Sequence, residues 1–144
     1  MKLLLRKAVP DDYERMAELA KELGYKPSNP NMRNKLVATL NNGDNFVFVA
    51  VDSEKVIGWI HGFYAIRIQS DSFIEIGGLV VSTEYRKMGI GKMLVESVIK
   101  WTESRNCKTI RVRCNTLRTE SHKFYETINF EQTKEQKVFE KKMI

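Results

Sequence analysis

The chain has 144 residues, 42% of them hydrophobic, a common size for one globular domain that closes a core without disulfides or a structural metal. Its start, Met1-Lys2-Leu3-Leu4-Leu5-Arg6-Lys7, sets three apolar residues between charges, far short of a signal-peptide core or a membrane span, and a cytoplasmic location with no membrane partner is expected. The 24 Lys and Arg outnumber the 18 Asp and Glu for a net charge of +6, but bases alternate with acids, as in Lys134-Glu135-Gln136-Lys137, and build no basic helix with stacking aromatics, so no nucleic-acid partner is expected.

Leu3 to Lys7 predict a short strand. Asp11 followed by Glu14 resembles a capping box, and Tyr13, Met16, Ala20 and Leu23 then fall on one helical face before Gly24 stops the helix. The prolines and asparagines between Gly24 and Asn31 predict a mobile loop, with Asn29-Pro30 opening a second helix that runs to about Leu40. Phe46 to Val51 and Val56 to Ile68 are rich in Val, Ile and aromatic residues, and Asp52 to Lys55 between them suits a hairpin turn. A third long strand, Phe73 to Ser82, follows the polar turn at Gln69 to Ser72.

Ile90, Leu94, Val98 and Trp101 recur at helical spacing and predict a helix to about Arg105 with one buried stripe. From Thr109 to Asn115 the pattern switches to strand alternation, with Ile110, Val112 and Cys114 on one face and Arg111 and Arg113 on the other. A short helix from Thr119 to Ile128 and a strand pair around Phe130 and Val138 complete the expected elements. The result is one mixed α/β domain over residues 1–144, antiparallel hairpins first and a parallel crossover near the end. Cys107 and Cys114 stand seven residues apart, without zinc or redox spacing, and read as free buried thiols in a reducing compartment. No metal is expected.

The segment with the clearest chemistry is Arg86-Lys87-Met88-Gly89-Ile90-Gly91-Lys92, which leaves a predicted strand and opens a predicted helix. Two glycines let the backbone approach a ligand, while free amides and about half a positive charge at a helix start suit a pyrophosphate. Lys87 and Lys92 add cationic reach.

With this loop in its strand-to-helix context, the chain resembles the GNAT superfamily of N-acetyltransferases, whose signature is Q/R-x-x-G-x-G/A after an apolar strand. Leu79-Val80-Val81-Ser82-Thr83-Glu84-Tyr85-Arg86-Lys87-Met88-Gly89-Ile90-Gly91 follows that pattern. Ser121-His122-Lys123-Phe124-Tyr125-Glu126-Thr127-Ile128-Asn129-Phe130 is similar to a second family segment, A-x-x-F-Y-x-x-x-G-F, with Asn129 where glycine is usual. Asparagine is the next best residue for a left-handed helix stop. The amino-terminal third matches by pattern alone.

The resemblance implies a central, mostly antiparallel mixed sheet with helices on both faces and a parallel strand pair splayed at the acetyl-CoA site. It implies that acetyl-CoA is the co-substrate. Leu79, Val80 and Val81 would pair with the pantetheine arm, and the Arg86 to Lys92 loop, with Met88 and Ile90 inside it, would hold the pyrophosphate. Tyr125 falls on the family's proton donor to the departing thiolate; from the residues alone it reads more readily as a core aromatic beside Phe124. Glu75 falls where some members keep a catalytic glutamate that deprotonates the amine, directly or through water, against the plain alternative of an outward charge. Asn115 ends the following strand and would touch the cofactor, although the family's commoner asparagine position, seven residues before the tyrosine, is Arg118. His122 and His61 are weaker candidates for a base.

The function implied is acetyl transfer to a primary amine, on a small molecule or a peptide, by direct attack. The alternative is an acetyl-CoA-binding regulatory or sensing module without turnover. Acceptor choice would fall to the Gly24 to Asn31 loop and the Arg67 to Ser72 turn, and the protein would be a monomer or a homodimer.

Overall fold

The computed structural model describes residues 1–25 and 31–144. They gather into two units, Met1–Arg113 and Cys114–Ile144. The first unit runs β1 (Leu3–Lys7), a 3₁₀ turn (Pro10–Asp12), α1 (Tyr13–Glu22), α2 (Met32–Leu40), β2 (Asn45–Asp52), β3 (Lys55–Ala65), β4 (Phe73–Val81), a 3₁₀ turn (Thr83–Tyr85), α3 (Ile90–Ser104) and β5 (Ile110–Val112). The second holds α4 (Thr119–Thr127).

The five strands lie in chain order, β1-β2-β3-β4-β5, antiparallel from β1 to β4, with β5 parallel to β4. Alternation along β3 shows why both faces are covered. Trp59 points toward α1 and donates its indole N–H to the carbonyl of Met16 at 3.1 Å. On that face Val47, Val49, Val51, Val56 and Val80 pack with Met16, Leu19 and Leu36 of the two amino-terminal helices. The neighbouring Gly58 and Gly62 face the other way, where Leu94 and Val98 of α3 close over them. Ile90, Leu94 and Val98 form the buried stripe that the helical spacing predicts, and burying each such side chain contributes roughly 1.5 to 3 kcal/mol.

The β2–β3 hairpin turns through Ser53 and Glu54 at φ 47° and 77°, the doubly left-handed geometry of a tight type I′ turn. Gly24 ends α1 at φ 86°, with Tyr25 N–H on Ala20 C=O and Gly24 N–H on Lys21 C=O.

Five expectations need correction. Asp12, not Asp11, organises the start of α1: its carboxylate accepts the Val9 amide at 2.8 Å and takes both Arg6 guanidinium nitrogens at 2.9 and 3.0 Å. The sequence reading runs β3 to Ile68, but pairing ends at Ala65, and Ile66 and Ile68 stand in solvent. The strand expected to reach Asn115 pairs over Ile110–Val112 alone, so Cys114 lies beyond it, and both free cysteines are half-buried rather than buried. The strand pair around Phe130 and Val138 does not form. The stretch from Glu131 to Lys142 is dominated by charged side chains, and Val138 and Phe139 are exposed, too little apolar alternation to bury one face of a strand. The Asn29-Pro30 helix start lies outside the described residues, although α2 itself begins at Met32 as expected to within a few positions.

Candidate active site

In the first unit, β4 pairs with β5 over three residues only, Ile74 to Ile76 against Ile110 to Val112, while its pairing with β3 continues to Val81. Among the described residues, Gly77 to Val81 therefore have no strand partner on the β5 side. Leu79, Val80 and Val81 all lie on this stretch, where backbone inside the sheet is left free to pair with something else. A bulge at the same level deepens the opening. The β3–β4 register shifts between His61 and Gly62, and Gly77 and Gly78 both turn toward the α1–α2 face, where side chains would collide with His61, Phe63 and Trp59 at 2.9 to 3.2 Å.

Beyond Val81 two side chains tie the chain down before the glycine loop. Thr83 donates its hydroxyl to Glu22 at 3.0 Å, and Tyr85 donates its phenol to Asp52 at 2.7 Å. The turn that follows places Lys87 and Gly89 in the left-handed region, at φ 62° and 80°. Gly89 serves as N-cap of α3 with no side-chain cap, and apart from its own chain neighbours no protein atom among the described residues lies within 4 Å of where its Cβ would stand. The first bond within the helix runs from Met93 N–H to Gly89 C=O, which leaves the amides of Ile90, Gly91 and Lys92 as free donors of the first turn. No acidic residue occupies that turn. Arg86, Lys87 and Lys92 are exposed, and among the described residues none takes part in an ion pair. An open, donor-rich, cationic cradle of this kind fits a pyrophosphate.

A groove of about 300 Å³ lies on the α1–α2 face, walled by Tyr25, Met32 and Trp59 on one side and by Gly77 to Val80 on the other. Tyr25 and Met32 flank the loop expected to set acceptor choice, but Lys26 to Pro30 lie outside the described residues. Glu75 belongs to this face as well, since it pairs with Phe63 and alternates in step with Gly77. It is not an outward charge on a sheet edge, because β3 and β5 flank it on both sides. Its side chain is 13% exposed, with Arg113 Nε 3.4 Å from Oε1. That oxygen is sealed from solvent and accepts no hydrogen bond among the described residues, an expensive arrangement for a carboxylate with no task.

Tyr125 and Asn115 belong to the second unit. Tyr125 is 8% exposed on α4, edge-on to Phe124 at 5.0 Å and Phe130 at 5.3 Å. Asn129 stops α4 at φ 72°, with Phe130 N–H on Tyr125 C=O, so the asparagine takes up the left-handed stop expected of it. Asn115 spends its side-chain oxygen on the Leu117 amide at 2.9 Å, and its carbonyl accepts from Arg118 and the His122 ring. His122 thereby braces the start of α4, as a local structural residue does.

Sequence reasoning passed over Trp59, Tyr25, Met32 and Arg113. The adjacent glycines of β4 were the available signal for the bulge, because a glycine pair inside an apolar strand marks a close approach. Among the described residues no group of His, Cys, Asp and Glu could hold a metal ion.

The model of the acetyltransferase (GNAT) family matches residues 9–130. An aminoglycoside N(6')-acetyltransferase type 1 from Stenotrophomonas maltophilia is 26% identical over 141 residues, covering 90% of this chain and 86% of that protein. The structure of AAC(6')-Iy in complex with the bisubstrate analogue CoA-S-monomethyl-acetylneamine superposes with a TM-score of 0.87 at 19% identity, covering 99% and 100% of the two chains. A transcriptional regulator from Bacillus halodurans C-125 superposes with a TM-score of 0.84 at 21% identity over 96% and 99%. At such identities these structures share the fold.

Proposed function

The chain belongs to the acetyltransferase (GNAT) family, and we propose that it transfers an acetyl group from acetyl-CoA to a primary amine on a small molecule or a peptide. The observation that carries this reading is the parting of β4 from β5 after Ile76, directly ahead of an uncapped, cationic helix start. Acetyl-CoA supplies the activated acyl group. Leu79, Val80 and Val81 offer their free edge to its pantetheine amides, and the backbone from Lys87 to Lys92 receives its phosphates, with Arg86, Lys87 and Lys92 balancing their charge. Residues 1–144 act as one acetyltransferase domain, a reading supported by a family match that runs across the boundary between the two units. With two free thiols and no helix among the described residues long and apolar enough to cross a membrane, the cytoplasm suits it.

An ammonium group has no lone pair, so the acceptor loses a proton before it attacks. Glu75 is the carboxylate for this step, on the same face as the groove, directly or through a water. The amide of Val81 lies on the free edge where charge develops on the acyl oxygen, and Tyr125 protonates the departing thiolate, a role that rests on its place in the second motif. Asn115 contributes to holding the co-substrate through its N–H donors, since its side-chain oxygen and its carbonyl are engaged in its own turn.

The similar Stenotrophomonas enzyme is named for an aminoglycoside acceptor, and a panel of aminoglycosides, polyamines and peptides with a free amino terminus tests the proposal. Release of free CoA thiol with at least one amine, and none without protein, is the expected result. Stabilisation of the fold by acetyl-CoA with no thiol release on any amine would overturn transfer in favour of sensing.

A further inference from the structure

His61, on the groove side of β3, is a titratable side chain that the reaction above does not use. It stands mid-strand, half-buried, with Nε2 2.8 Å from the side-chain oxygen of Asn45 on β2. A carboxamide oxygen can only accept, so Nε2 carries the proton and Nδ1 keeps its lone pair. That lone pair is turned toward the bulge: a Cβ on Gly77 would stand 3.0 Å from Nδ1. Gly77 is exposed and is also part of the groove wall. His61 is not itself a wall of the groove, and the missing side chain at position 77 leaves Nδ1 next to the Gly77 part of that wall.

Resting on the transferase reading, we propose that His61 Nδ1 is a second acceptor, alongside Glu75, for the one proton that the incoming ammonium loses before attack, taking it at the Gly77–Gly78 bulge directly or through one water. The N–H bond of the ammonium breaks with its electron pair left on nitrogen, and the proton bonds to Nδ1. The imidazolium passes it to water after transfer. The second proton that nitrogen loses on becoming an amide is matched by the one the departing thiolate takes up. Burial pushes the imidazole below its ordinary pKa of 6.5, which keeps it neutral and able to accept near pH 7. The strand residues around it on this face are Asn45, Val47, Trp59, Phe63, Gly77 and Glu75, and Tyr25 brings a phenol to the groove. Glu75, with Arg113 beside it, is the charged group of that set. The helix residues buried over the face, Met16, Leu19 and Leu36, carry none. Asn45 acts as a positioning residue, fixing the tautomer.

Turnover of sisomicin and spermidine is measured from pH 6 to pH 10 for wild type, His61→Gln and Asn45→Ala, together with the ¹⁵N shifts of the His61 ring in wild type. The expected result is a loss of roughly 100-fold in kcat/KM for His61→Gln near neutrality, shrinking at alkaline pH where free amine is supplied by solution, with the melting shift by acetyl-CoA retained. Asn45→Ala loses less and mixes the tautomers. A loss that is the same at every pH, or no loss, overturns the inference while leaving the transferase standing. A ring that is cationic at pH 7, or that carries its proton on Nδ1, overturns it even if His61→Gln does not fold. If wild type acetylates no amine of the aminoglycoside, polyamine and peptide panel, the transferase reading falls and this inference with it.

Discussion

Glu75 and Tyr125 show what a single residue discloses in sequence and what it conceals. A carboxylate within the apolar run from Phe73 to Val81 announces itself because isolated charges are costly to bury, and Glu75 is indeed enclosed on both sides. Its ion-pair partner Arg113 was not legible, since a contact across parallel strands depends on register that no local pattern fixes. Tyr125 is harder, because its spacing suits a proton donor and a core ring alike, and the ring does pack against Phe124 and Phe130. Substitution by Phe separates the two. It keeps the buried ring, so the melting temperature should move by an amount worth about 1 kcal/mol or less. Turnover on an authentic amine should fall roughly 10-fold to 1,000-fold with little change in acetyl-CoA affinity, because the hydroxyl acts on charge that appears in the transition state. Wild-type turnover in Tyr125→Phe would return the residue to the core.

Helices and long strands follow from periodicity and punctuation, and their ends and pairings do not. Ile90, Leu94 and Val98 locate α3 because only a helix brings those positions together, and Asn45–Asp52 and Lys55–Ala65 flank a polar turn too short for anything but a hairpin. Alternation in Thr109 to Asn115 could not reveal that β5 stops at Val112, which depends on β4 diverging from it. The link between β1 and α1 was misread by one residue, since Asp11 and Asp12 are equivalent to a capping rule and differ only in which one Arg6 can reach. Burial opposes the ionised form of Asp12, but the Arg6 and Val9 hydrogen bonds outweigh it and hold the carboxyl below its ordinary value of 3.8. The folded state thus favours the ionised form, a contribution fully present above the ordinary value and lost as pH falls through the lowered one. Asp12→Asn should cost about 1 to 3 kcal/mol in denaturant unfolding at pH 7, and the gap to wild type should narrow at more acid pH. A gap that is constant with pH would mean that the substitution removes packing and not charge.

Across the whole molecule, the charge of +6 is spread over the chain, but the glycine loop concentrates Arg86, Lys87 and Lys92 where α3 starts. Under the proposed function, that placement gives part of the positive balance a local task. The proposed transfer therefore turns on the affinity of this one loop. Gly89 adopts φ 80° with open space around it, so a glutamate there costs about 1 to 2 kcal/mol of backbone strain while putting bulk and negative charge in the cradle. Calorimetric titration of acetyl-CoA into wild type and Gly89→Glu is the most direct test. Saturable binding to wild type and at least a roughly 100-fold weaker response in a folded Gly89→Glu is the predicted result; no heat with wild type, or equal affinity in both proteins, would contradict it.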